Sequence, residues 1–276
     1  MMGKRGMALV CFILLMVCTA ATGSAESRKI NIYMDKEAML AGDVDAADIR
    51  VRPEGEVRVT RHSLYPWDEE GSRFSVFVEL ENTGDEKIVI DTDWLYACGK
   101  DREEIDSASY IFDNTTNVIA PGEKLLLFVG GYPYAEGKRR DSDAKLDPQT
   151  VEGMSDFARR IRQANMLRVR LEVRGDESSQ VWPREEIDAK AWIEDGTIYF
   201  ETTNGSDEAA EYRSVGVIIS DKEGKIVDVL REYFSTGATI EPGAALTASK
   251  ALAPYVTEEM LEGMTLETFA YRIPKK

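Results

Sequence analysis

His62 is the only histidine among 276 residues, so any Ser-His-Asp or Cys-His arrangement would have to use it. It stands in Arg61-His62-Ser63, inside a strand-like run with no nucleophile elbow beside it, and a structural or exposed role is expected. Carboxylates are plentiful. Asp43, Asp45 and Asp48 form one cluster and Asp141, Asp143 and Asp147 another, but neither has the spacing or the glycine of an EF-hand loop. Both read as solvated acidic loops. A carboxylate pair for glycoside hydrolysis has no fixed sequence spacing and stays open as an alternative. The residues suited to binding are aromatic or basic. Trp67, Trp182 and Trp192 fall near loops or strand ends, where indoles could stack on sugar rings, whereas Trp94 is expected in the core. Arg159, Arg160 and Arg162 lie close to Lys138-Arg139-Arg140 and make the one basic concentration, for which a solvated face is the simpler reading. No catalytic, cofactor-binding or metal residue is assigned.

The first 25 residues read as a signal peptide, with Lys4-Arg5 ahead of an apolar Met7–Thr19 stretch and Gly23-Ser24-Ala25 as a cleavage site. Cys18 offers a lipoprotein alternative, disfavoured by the bulky Met16 and Val17 before it. Loss of Lys4 and Arg5 takes the net charge from −16 to −18. Such a field repels nucleic acid and anionic membranes and favours solubility. No second apolar run is long enough to span a membrane. Cys11 and Cys18 would leave with the leader, so Cys98 would stand alone, without a disulfide. One histidine and one cysteine cannot complete a zinc site of nitrogen and sulfur ligands. Each domain would then have to be stable on its own core.

The elements that must position these residues are short strands. Ile30–Tyr33, Ile49–Arg52 and Val57–Thr60 alternate apolar and polar. Arg73–Glu81 is the strongest strand, with Phe74, Val76, Val78 and Leu80 on one face and Phe77 helping to cover the other. Ile88–Asp91, Trp94–Cys98, Ala108–Phe112 and Lys124–Val129 follow as strands. Asp147 with Pro148 predicts a helix start, and Val151, Met154, Phe157 and Ile161 give Pro148–Ala164 a helical period. Leu167–Val173 alternates as a closing strand, with Arg168 and Arg170 outside. After a linker at Gly175–Ser179 come strands at Ile187–Ile193, Thr197–Thr203, Tyr212–Ser220, Ile226–Phe234 and Ala245–Ser249. A short helix capped by Thr257 and a last strand at Leu266–Ile273 complete the chain. Met34–Asp48 has no clear period and reads as loop or short helix.

Two stretches match one another. Phe74–Gly130 and Thr197–Leu252 align Asn82 with Asn204, Asp85 with Asp207, Phe112 with Phe234 and Pro121-Gly122 with Pro242-Gly243. Pro133-Tyr134 and Pro254-Tyr255 extend the match, and each copy places a helix before its last strand. An internal repeat of this size predicts a mainly β fold: two tandem antiparallel β-sandwich domains, a first module over residues 26–175 and a second over 176–276. Asn114-Thr115-Thr116 and Asn204-Gly205-Ser206 fit a glycosylation pattern but read here as turns.

The order of a strand, Asn-Thr-Gly-Asp, two strands split by a charged turn and Ile-x-Pro-Gly-x resembles FxLYD-type and related immunoglobulin-like modules of bacterial secreted and cell-envelope proteins. The matching residues are Val78–Asp85, Leu95–Asp101 and Ile119–Phe128, then Phe200–Glu208, Val217–Gly224 and Ile240–Ala244. The resemblance implies an extracytoplasmic, non-catalytic module without a cofactor, and transfers no catalytic residue. The expectation is a secreted, periplasmic or cell-surface protein that binds an envelope protein or glycan, or supports envelope architecture. The alternatives are a hydrolase using a carboxylate pair and a calcium-dependent adhesin.

Overall fold

A computed structural model describes residues 27–42, 49–67, 73–109, 112, 116–132, 157–158, 160–175, 182, 184–185 and 187–273. The proposed signal peptide, both aspartate clusters, Asn114, Lys138–Arg140, the start of the expected helix, Arg159 and most of the linker lie outside these residues. The fold is mainly β and its strands pair antiparallel. In chain order the elements begin with β1 (Arg28–Asp35), α1 (Lys36–Ala41), β2 (Ile49–Arg52), β3 (Val57–Pro66), β4 (Phe74–Asn82) and β5 (Ile88–Cys98). They continue with β6 (Glu104–Ser109), β7 (Val118–Ile119), β8 (Lys124–Tyr132), helical residues at 157–158 and 160–163 (α2), and β9 (Met166–Arg174). The remainder are β10 (Arg184–Glu185), β11 (Ala189–Glu194), β12 (Thr197–Thr203), β13 (Ala210–Ser220), β14 (Ile226–Ile240), β15 (Ala245–Ala251), α3 (Glu258–Leu261) and β16 (Thr265–Arg272).

Four sheets result. One has the order β2-β1-β9-β5-β6, with β7 also paired to β5; β3-β4-β8 makes the second. The third runs β10-β16-β13-β14 and the fourth β11-β12-β15. The two halves therefore share a strand order, β1-β9-β5-β6 answering β10-β16-β13-β14 and β3-β4-β8 answering β11-β12-β15. The short helices fall where local signals put them. Asp35 caps α1 by accepting from the Glu37 and Ala38 amides at 2.9 and 3.1 Å, and Thr257 Oγ1 accepts from Met260 N at 3.3 Å. In α2, Phe157 and Ile161 are buried as the helical period required.

The two asparagines aligned in the sequence perform one structural task. Asn82 Nδ2 donates to the Glu86 and Ile119 carbonyls at 2.8 and 2.9 Å, and Gly84 N donates to its Oδ1 at 3.0 Å. Asn204 Nδ2 donates to Glu208 and Ile240 at 2.8 Å each, and Ser206 N donates to its Oδ1 at 3.1 Å. The backbone carbonyls of Asn82 and Asn204 accept from Gly122 and Gly243. A single amide thus ties the turn after the strand to the chain entering the Pro-Gly turn. This explains why an asparagine stands there: it offers two donors and an acceptor on a short stem.

Two strand assignments change. Ile88–Asp91 and Trp94–Cys98 form one strand, β5, with a register irregularity against β9 between Ile90 and Thr92 in place of a turn. Trp94 is not a core residue; Leu95 and Ala97 point inward, so Trp94 and Tyr96 lie on the outer face.

The two halves meet in a shared core. The first core joins Ile30, Ile32, Leu95, Val169 and Phe157 to Val76, Val78, Leu80, Leu125 and Leu127. The other face of the β3-β4-β8 sheet carries Tyr65, Phe77, Leu126 and Phe128, and these belong to the second core with Val215, Ile218, Val229 and Phe269. A bulge between Val59 and Arg61 shifts β3 so that Val57, Val59 and Leu64 share the first-core side while Tyr65 takes the other. Strands buried on both faces read as unbroken apolar runs, as in Leu125-Leu126-Leu127-Phe128-Val129. The β3-β4-β8 sheet and the four-stranded sheet are therefore inner layers, with the other two sheets outside. Polar ties cross the same seam: Ser63 Oγ donates to the Ile226 carbonyl at 2.6 Å, and Lys225 Nζ donates to the Leu40 carbonyl. The second core is not complete without residues from the first half, whereas the first core draws on residues 30–173 alone.

Candidate functional site

Layering leaves the outer face of the six-stranded sheet free to carry side chains with no core role. In the register, Arg50, Tyr33, Arg168 and Tyr96 stand abreast on β2, β1, β9 and β5. The next row outward is Arg52, Asn31, Arg170 and Trp94. Cross-strand neighbours on one face pack side chain to side chain. Here they build an alternating ladder. The Arg102 guanidinium lies 5.5 Å from the Tyr33 ring centre, Arg168 lies 5.7 Å from Tyr33 and 3.9 Å from Tyr96, and Arg170 lies 4.9 Å from Tyr96 and 5.2 Å from Trp94. Trp94 and Tyr96 stack at 6.1 Å. A planar guanidinium over a ring gains cation–π attraction while its N–H edge stays available for hydrogen bonds.

The ladder is electrostatically fixed. Burial alone would lower the Arg168 pKa, but the hydrogen bond to Glu104, with smaller help from Tyr33, raises it, so the cation persists. Burial raises the Tyr96 pKa against the opposing pull of Arg170 and Arg168, which leaves the phenol neutral near neutrality. Cys98, the free cysteine, is buried beside this group, and burial pushes its thiol up. Arg50, Arg52, Arg102, Arg168 and Arg170 outnumber their partners Glu54, Glu104 and Glu172 on this face of a chain with net charge −16, and Arg52 is paired to Glu54. Arg170 reaches no carboxylate closer than Glu172 at 3.8 Å among the described residues, and its side chain is 21 % exposed.

A second ladder edges the seam. The Arg231 guanidinium lies 5.7 Å from Phe128 and 5.4 Å from Tyr233, and Arg213 lies 4.8 Å from both Tyr233 and Trp182. Arg213 Nη2 donates to Tyr233 Oη at 2.5 Å. Tyr233 is 42 % exposed, one of the few large apolar side chains so open.

The expected binding residues are dispersed. Trp182 joins the second ladder. Trp67 sits at the opposite part of the seam, donating from Nε1 to the buried Ser75 Oγ at 2.9 Å and lying 6.0 Å from Tyr255. Trp192 stacks on Tyr199 at 5.1 Å, with Lys190 Nζ 4.7 Å from its ring, on the β11-β12-β15 sheet. Arg160 and Arg162 are exposed on α2. These residues do not converge on one site. The main ladder was missed because its members are far apart in sequence; the available signal was the pairing of outward i, i+2 residues, Arg50/Arg52, Trp94/Tyr96 and Arg168/Arg170.

Other polar groups have structural occupations. Buried Glu79 accepts from Thr60 Oγ1 at 2.7 Å and from Arg61 Nε and Nη2 at 2.9 and 2.6 Å, and Arg61 Nη2 also reaches Glu267 at 3.0 Å across the seam. Buried Asp228 accepts from Lys250 Nζ at 2.6 Å and from Ala253 N at 2.9 Å. His62 is buried on β3 opposite Val78. Asp93 is buried, and burial, offset by a bond from the Phe112 backbone, pushes its carboxyl up to about 6. Among the described residues no three His, Cys, Asp or Glu side chains are grouped to hold a metal, and no helix is long and apolar enough to cross a membrane. A depression of about 260 Å³ beside Asn82 falls below the usual range for small-molecule sites, and the Arg28–Glu56 ion pair at 2.9 Å lies in its wall.

The sequence matches no protein-family model and none of the curated proteins it was compared with.

Proposed function

We propose that this is an exported, non-catalytic protein built from two copies of one immunoglobulin-like module, and that it binds a macromolecule of the cell envelope through the outer face of the six-stranded sheet. The observation that carries the binding reading is the Arg102–Tyr33–Arg168–Tyr96–Arg170–Trp94 ladder. Arginine and aromatic side chains of this kind fold no core, and they are the types enriched where proteins bind. The two-copy reading is supported by the common strand order and by the matched hydrogen bonds of Asn82 and Asn204. The FxLYD-type resemblance and the apolar leader support the extracytoplasmic setting.

The test is binding of the purified protein to arrayed envelope polymers, glycans and proteins, with Trp94→Ala and Arg170→Ala compared at matched melting temperature. Loss of binding in both variants is the expected result. Binding that survives both substitutions removes this face from the function, and turnover of a bound polymer removes the non-catalytic reading.

A further inference from the structure

We propose that the ligand of this face is an acidic polysaccharide, whose carboxylates are taken by Arg170 and Arg50 while its sugar rings lie along Tyr33 and Trp94; this rests on the reading that the face binds a macromolecule. The first argument is charge complementarity. A chain of net charge −16 repels anions at long range, yet it concentrates arginines on one sheet surface. Guanidinium groups recognise carboxylates with two parallel hydrogen bonds, which a neutral glycan cannot accept.

The second argument is preorganisation. The Arg170 guanidinium lies 4.9 Å from the Tyr96 ring centre and 5.2 Å from that of Trp94, and its nearest described carboxylate, Glu172, is at 3.8 Å, outside hydrogen-bond reach. Arg168 is different: it is bonded to Glu104 and only 11 % exposed, so it positions Tyr96 and Tyr33 without contacting ligand. Two strand spacings of about 4.8 Å separate β2 from β9, placing Arg50 and Arg168, and likewise Arg52 and Arg170, about 10 Å apart across β1. A polymer lying across the strands would meet charge, ring and amide in turn.

The third argument distinguishes sugar from peptide. Strands β1, β9 and β5, which carry Tyr33, Arg170 and Trp94, are each hydrogen-bonded on both sides, so an added peptide strand could pair only at the β2 edge and would not lie over these rings. The face is half-exposed at Tyr33, Asn31 and Trp94, and carries Asn31 in the same row as Trp94. Flat pyranose rings with carboxylates at their margins suit that surface.

Native affinity electrophoresis through gels containing polygalacturonate, its methyl ester, dextran sulfate or poly-glutamate tests the inference. Retardation by polygalacturonate alone is expected, with Kd weakened about tenfold or more by Arg170→Gln and unchanged by Arg160→Gln on α2. Equal retardation by the methyl ester overturns the carboxylate assignment while leaving a binding face. Equal retardation by poly-glutamate makes the partner an acidic protein and overturns the sugar. Retardation by dextran sulfate that Arg160→Gln weakens as much as Arg170→Gln is plain ion exchange and overturns both. Absence of retardation in every gel overturns the acidic polysaccharide.

Discussion

Replacing Phe77 by alanine tests whether the two halves stand or fall together. Phe77 lies on β4, within the first half of the chain, yet its ring is fully buried in the second core. It stacks on Phe128 at 6.4 Å and meets Tyr65 edge-on at 6.5 Å. Truncating a buried phenylalanine costs about 3–5 kcal/mol through lost transfer energy and the cavity left behind. Aromatic pairs of this geometry add about 0.5–1.5 kcal/mol beyond area alone. The central β4 strand cannot collapse into the gap, because its opposite face is fixed by Val76, Val78 and Leu80 in the first core. The upper part of the range is therefore expected. For a cooperative unit of this size each kcal/mol moves the midpoint by about 2–4 °C, so a fall of about 10–20 °C follows.

The informative assay is differential scanning calorimetry with urea unfolding followed by tryptophan fluorescence. A shared seam requires one transition in the parent protein, displaced as a whole in Phe77→Ala, with an unchanged urea slope. Two resolved transitions, of which the substitution moves only the first, would refute the reasoning, since Phe77 would then stabilise only the half that encodes it. The fragment 27–175 supplies a second reading. It exposes Tyr65, Phe77, Leu126 and Phe128 on one sheet face, and such a patch should make it aggregate.

Three further outcomes follow from buried polar groups. Asp93 has a folded pKa of about 6, above its unfolded value of 3.8, so the folded state binds the extra proton and the associated stability is lost as pH rises from about 4 through 6. Asp93→Asn should therefore gain on the parent as pH rises from about 4, levelling off at about 3 kcal/mol above pH 7 in urea titrations, whereas a pH-independent difference would contradict the burial argument. Asn82→Ala removes two donors and an acceptor from a fully buried side chain and should cost about 2–4 kcal/mol, more than Asn204→Ala, whose bond to Glu208 is exposed; urea midpoints rank the two. Cys98 should resist thiol reagents at pH 8 in the folded protein and react at the ordinary rate in urea, measured by release of thionitrobenzoate.

What the sequence made legible was whatever local chemistry dictates. Thr257 caps its helix because a short oxygen-bearing side chain satisfies a free amide, and Asn82 and Asn204 terminate strands for a related reason, whereas the Asp35 cap of α1 is not legible within the aperiodic Met34–Asp48 stretch. Period-two alternation placed Arg168 and Arg170 outside. What failed was long-range. Ile88–Asp91 and Trp94–Cys98 read as two strands, but an irregular register lets β5 run through Thr92 and Asp93 unbroken. Trp94 was expected inside on hydrophobicity, and parity with Leu95 sends it out. The ladder joins residues from β1, β5 and β9, with Arg102 from the turn after β5, and no spacing along the chain reveals which strands become neighbours. The seam had a local sign, unbroken apolar runs in β4, β8 and β13, but such runs do not name the surface that covers them.

The seam favours an outer sheet for the proposed binding face. Glu79 is fully buried beside Arg61, and the guanidinium turns from it toward Glu267 on the other half. The Arg61 pKa is raised although burial alone would lower it, because both carboxylates hold its charge. Removing one partner from such a pair leaves an uncompensated buried charge, which penalises alternative docking of the halves as well as their separation. With β3-β4-β8 and the four-stranded sheet locked face to face, conformational adjustment between halves is a poor means of shaping a ligand groove. Flat recognition on a rigid outer sheet is what such an architecture can still offer, and there arginines pinned over aromatic rings supply orientation that a loop-built groove would have to gain by ordering on binding.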